Sequence, residues 1–134
     1  MSAVRQLQAY REIEITTTDP TTVLLMLYQG VIDSLKRARI HMAAGELAEK
    51  GRYILRANDI INQFIGSLDH EIGGEIAENL EALYFYMLDQ ILAANIRNEE
   101  QPLTTVISLL TTLKAGWDEA IAGQRKTVAQ GEAR

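Results

Sequence analysis

The residues best suited to chemistry in this chain are its two histidines, His41 and His70, and its carboxylates, because the chain has no cysteine. The chemistry they could support is metal binding. A helical protein can hold a metal pair with inward carboxylates and Glu-x-x-His motifs. Neither histidine has Glu three residues before it: Ala38 precedes His41 and Ser67 precedes His70. His70 falls between Asp69 and Glu71 and reads as a surface residue in a polar turn. The lack of cysteine removes thiolate nucleophiles, disulfides and cysteine-ligated zinc. No His-Glu-x-x-His, Gly-x-Ser-x-Gly or Walker sequence occurs. Gly73-Gly74 is too short to cradle a phosphate and reads as a turn that needs positive φ. No catalytic, cofactor or metal residue is therefore assigned, and an enzyme is not expected.

What stands out instead could serve recognition. Asn58 falls on an apolar helical seam, where an unpartnered amide costs about 1–3 kcal/mol. It reads equally well as a register-setting polar group or as an amide awaiting the backbone of another chain. Tyr84-Phe85-Tyr86-Met87 is the densest aromatic run. Neighbours on a helix point ~100° apart, so these four cannot all face one core. They read first as the filling of a helix buried on two sides, and otherwise as placing one aromatic in a groove. Gly30 lies inside a helical pattern, where glycine costs ~1 kcal/mol against alanine, and reads first as allowing close helix packing and otherwise as a ligand contact. Lys36, Arg37 and Arg39 form the one concentrated basic cluster and read as a solvated face near a helix C-terminus.

The elements that position these residues follow from spacing. Asp19-Pro20 starts a first helix over about 20–44, with Asp as cap and Pro at the first helical position. Leu24, Leu27, Tyr28, Val31, Leu35, Ala38 and Met42 make its stripe, and Gly45 stops it. A second helix, about 46–67, has a seam of Leu47, Ile54, Asn58, Ile61, Ile65 and Leu68, with Phe64 alongside. After the turn Asp69–Gly74, a third covers about 74–97 through Ile76, Leu80, Leu83, Tyr84, Met87, Ile91 and Ala94. Phe85, Leu88 and Leu92 form a second stripe on it. A fourth covers about 100–122 through Leu103, Val106, Leu110, Leu113, Trp117 and Ala120. Long helices joined by short turns predict an all-α, antiparallel up-down-up-down four-helix bundle over residues 18–122. Residues 1–17 lack a sustained period and read as an extended N-terminal arm. Residues 123–134 read as a frayed tail.

At 134 residues this is one domain, with a hydrophobic fraction of 47% and a net charge of −5. The acidic balance argues against nucleic acid as the main partner. No stretch is long and apolar enough to span a membrane, and MSAVRQLQAYREIEI is not a secretory signal. The apolar stripes exceed what one core needs, which points to a protein that holds another chain.

Several segments also carry a family resemblance: Gln8-Ala9-Tyr10, DPTTVLLMLYQGVI (Asp19–Ile32), RANDIINQF (Arg56–Phe64), SLDHEIGGEIAENLEALYFYML (Ser67–Leu88) and Ala94-Asn95-Ile96. Across roughly residues 8–120 the chain resembles the FliS family of flagellar secretion chaperones. It departs from that pattern before Gln8 and at Thr21-Thr22, where acidic residues are common in the family. The resemblance implies a cytoplasmic, non-enzymatic export chaperone. Such a protein would bind the disordered C-terminal segment of flagellin, prevent premature polymerisation and support delivery to the flagellar export gate. The alternative reading is a helical scaffold or ligand-binding bundle with another helical partner. For flagellin, the candidate groove comprises Tyr10, Leu24, Leu27, Tyr28, Val31, Asn58, Ile61, Ile65, Leu80, Tyr84 and Asn95. The arm is expected to cover that groove and to leave when the partner arrives.

Overall fold

Asp19 sets the start of the first helix, α1 (Pro20–Ala43), because its side chain accepts from the Thr21 amide at 3.0 Å. The computed structural model describes residues 19–132, with side chains as far as Lys126. The predicted arm, Tyr10 included, lies outside the described residues. Gly45, at φ 73°, turns the chain out of α1, and α2 (Leu47–Ser67) begins two residues later. The Asp69 carboxylate then caps α3 (His70–Arg97), accepting from the Glu71 and Ile72 amides at 3.1 and 3.0 Å. Gly74, at φ 50° and ψ −123°, breaks the path of α3 one turn in. The sequence reading assigned that glycine to a turn of positive φ, and the chain does use it so. Asn98 ends α3 in the left-handed region, a conformation asparagine tolerates. The fourth helix, α4, runs Gln101–Glu132.

Connections of two or three residues force each helix antiparallel to the one before it. α1 packs on α2, α2 on α3, α3 on α4 and α4 back on α1, with no backbone packing across either diagonal among the described residues. The fold is the expected antiparallel four-helix bundle. Its core joins Val31, Leu35, Ile54, Ile61, Met87, Ile91, Leu103, Val106 and Leu110, all buried. Across one diagonal, the Tyr28 and Tyr84 hydroxyls hydrogen-bond to each other. Phe64 stacks on Tyr28 at 4.6 Å between ring centres and lies 5.4 Å from Tyr84. Burial pushes both tyrosine pKa values up, so both remain neutral donors and acceptors.

Three differences from the sequence reading matter. α4 does not stop near 122 but stays helical to Glu132. Gly123 does not adopt the positive φ of a helix stop. Two residues on, Arg125 Nη2 donates to Asp19 Oδ2 at 2.7 Å and to Thr22 Oγ1 at 3.1 Å, tying this extension to the start of α1. On α2 the buried face is turned toward α1: Ala57, Ile60 and Phe64 are in the core, whereas Leu47, predicted in the seam, is exposed. On α3, Ala77 rather than Ile76 faces inward, because the break at Gly74 resets the helical phase.

Candidate partner-binding surface

The two flanks of α2 differ. On one, Tyr53 stacks on His41 of α1 at 5.4 Å, and Ile60 lies under Gly30. This flank is closed against α1. Leu55 stands two residues from Tyr53, and so about 200° around the helix, and is 62% exposed. Leu47 is exposed on the same outer flank. On α3, Leu88, Leu92 and Asn95 step by four and three, and so share one strip with Phe85 and Ile96 beside it. Lys50 Nζ of α2 donates to the Asn95 carbonyl at 3.4 Å and to Asn98 Oδ1 at 3.1 Å. That anchor turns the Asn95 end of the strip toward α2. Phe85, Leu92 and Ile96 are 51%, 55% and 73% exposed along it. The two helices thus present apolar side chains outward along their shared seam.

A second apolar opening lies between the start of α1 and the end of α2. Pro20, Thr21, Val23, Leu24 and Leu27 face Gln63, Phe64 and Ser67 across a cleft of about 600 Å³. It is open at the surface and floored by the Phe64 ring that reaches the two tyrosines. Asp19 sits beside it, its pKa lowered to about 2 by the hydrogen bond from the Thr21 hydroxyl and then by Arg125.

The structure separates the residues that the sequence reading grouped. Tyr28, Val31, Ile61 and Tyr84 are enclosed in the core and line no open surface in this conformation. Tyr28 and Tyr84 are spent on each other, and Ile61 turns inward with Ile54. Leu24 and Leu27 line the α1–α2 cleft. Ile65 and Leu80 are half-buried against the core. Asn95 is half-buried and offers its carbonyl to Lys50. Asn58 is half-buried, and its Oδ1 finds no hydrogen-bond partner among the described residues. In the aromatic run, Tyr84 is core while Phe85 and Tyr86 are exposed. The sequence reading passed over Lys50, which is only 6% exposed. Its signal was a lysine on the seam side of α2, one turn before Ile54. Leu55 was passed over as well, and an isolated leucine off the seam carries no signal by itself.

Among the described residues no three His, Cys, Asp or Glu side chains converge as metal ligands, and no helix is long and apolar enough to cross a membrane. The fold, with apolar side chains left outward along one seam, defines an all-helical protein of the bundle class.

Comparison with known proteins places it further. Residues 3–124 match the family model for the flagellar protein FliS, so the chain belongs to the FliS family. The flagellar secretion chaperone FliSB of Pseudomonas aeruginosa is 37% identical over 119 residues, covering 88% of this chain and 94% of the relative. The flagellar secretion chaperone FliS of Vibrio cholerae is 35% identical over 117 residues, covering 84% and 86%. That of Salmonella typhimurium is 35% identical over 118 residues, covering 84% and 87%. A crystal structure of a bacterial flagellar chaperone superposes with a TM-score of 0.74 at 17% identity, covering 88% of this chain and 98% of the other, and so shares the fold.

Proposed function

We propose that this protein is a cytoplasmic export chaperone. It holds the C-terminal segment of flagellin, prevents premature polymerisation and supports delivery to the flagellar export gate, with no catalytic activity of its own. The observation that carries the reading is the apolar seam of Leu47, Leu55, Phe85, Leu92 and Ile96, left outward by a bundle whose core is already closed. Family membership supports the choice of partner. An amphipathic helix laid along such a seam would bury its apolar face. The cleft at Leu24 and Leu27 offers a second contact, as a wrapped segment needs. In this reading the groove residues Tyr28, Val31, Ile61 and Tyr84 act from beneath, by setting the shape of the surface.

Calorimetry with the purified flagellin C-terminal peptide tests the proposal. One-to-one binding with a negative heat-capacity change is expected, because apolar area leaves water. Leu92→Ser should weaken that binding while leaving the melting temperature nearly unchanged. No heat at low or moderate salt would sink the flagellin reading and favour another helical partner. Deletion of residues 1–17 should raise affinity; lower affinity would make the arm a clasp.

A further inference from the structure

The closed α1–α2 flank carries a second, chemically different opening. Gly30, Asp33, Ser34 and Arg37 of α1 face Tyr53 and Arg56 of α2 across a polar cleft of about 290 Å³. Arg37 comes from the basic cluster seen in the sequence; Arg56 comes from another helix, and only folding brings the two together. The Arg37 guanidinium lies over the Tyr53 ring at 5.7 Å, and that of Arg52 lies over it at 5.2 Å. Arg52 is already paired with Glu49 at 2.6 Å. Arg37 and Arg56 form no ion pair with any described residue. Stacking uses the face of a guanidinium and leaves its in-plane N–H donors free, so Arg37 is oriented but unsatisfied.

From this geometry we infer that the cleft is a binding site for a carboxylate side chain of an acidic segment in a partner protein, separate from the apolar seam. Charge decides the class of ligand. Two guanidinium groups and the Asp33 carboxylate leave the walls with one net positive charge, which a carboxylate monoanion balances. A dianionic phosphate would meet Asp33 at close range. The Ser34 hydroxyl donates to the Gly30 carbonyl at 2.9 Å and closes the floor, so the recognising donors are the two arginines. Of the neighbouring acids, Glu49 is paired with Arg52 and Glu46 with His41 at 3.0 Å, while Asp33, in the cleft wall, also accepts from Gln29 at 2.9 Å.

The test titrates the full-length protein, followed by two-dimensional NMR, with a blocked peptide of alternating glutamate and glycine. Its glutamine counterpart and inorganic phosphate are run beside it. The glutamate peptide should give saturable shifts confined to residues 30–37 and 53–56. Arg56→Gln should weaken it about tenfold, as expected on losing one charge-assisted hydrogen bond. Arg37→Gln should do the same, and circular dichroism should show both variants folded, since each side chain is exposed. Equal binding of the glutamine peptide overturns the inference, as do shifts spread over all surface cations. Tighter binding of phosphate than of the glutamate peptide overturns the carboxylate assignment. A folded variant of either arginine that keeps full affinity overturns the inference. The readout does not involve flagellin, so failure here and failure of the chaperone reading are distinct.

Discussion

The two flanks of α2 show how one helix can be structural on one side and available on the other. Toward α1, Tyr53 and Ile60 meet His41 and Gly30, the gap beside Tyr53 is small and lined by charge, and an apolar cleft opens at the far end, at Leu24 and Leu27. Toward α3, contact is held at one end by Lys50, and Leu55, Phe85, Leu92 and Ile96 stay in water along the rest. The difference is where apolar area was left over after the core closed. A polar gap binds by charge and direction. An apolar seam binds by area, which is why the proposed partner contact is laid along it.

The sharpest way to break this comparison is to remove a residue from each side of the boundary. Ile61 is fully buried, so Ile61→Ala should cost about 2–5 kcal/mol in urea unfolding. Leu55→Ala, on the outer flank, should fall within about 0.5 kcal/mol. Equal losses would mean that the two faces of α2 have been assigned wrongly. Next in size is the anchor: Lys50→Ala should cost about 1–3 kcal/mol, because the Asn98 amide oxygen and the end of α3 lose their buried donor. Hydrogen exchange should then quicken at residues 94–98 more than at the α1–α2 seam.

Gly30→Ala sharpens the other flank. A methyl group there would meet Ile60 Cδ1 at 3.7 Å, an ordinary contact, so the glycine is not required for packing as its sequence position suggested. Thermal unfolding should show a gain of about 0.5–1 kcal/mol from helix propensity alone. A loss would mean that α1 and α2 lie closer than they do here. The smallest effect is the pH dependence at the α1 terminus. The folded pKa of Asp19 is about 2, below the ordinary 3.8, so its stabilisation is full above about pH 4 and fades as pH falls through 2. Melting temperatures across that window should fall more steeply for the native protein than for Asp19→Asn. Parallel curves would mean that the Thr21 and Arg125 contacts of Asp19 do not hold in solution.

Periodicity and caps alone determined much here. Asp19-Pro20, Gly45 and Gly74 carry their boundaries in their own backbone chemistry, which acts within a few residues and so is written locally. The stripes on the four helices define a bundle for the same reason. Which side of each stripe closes was not written there. Tyr28 and Tyr84 fall on apolar stripes in sequence and also belong to the groove expected from the family resemblance; only folding across the diagonal spends their hydroxyls on each other. Leu55 looks incidental until Tyr53 is drawn to α1. Arg37 and Arg56 are nineteen positions apart in sequence, and nothing local relates them. Amphipathic spacing says that a helix has an apolar side, because that depends on 3.6 residues per turn. How far that side is turned, and what it leaves exposed, depends on how tightly each neighbour packs, and only the tertiary structure decided that.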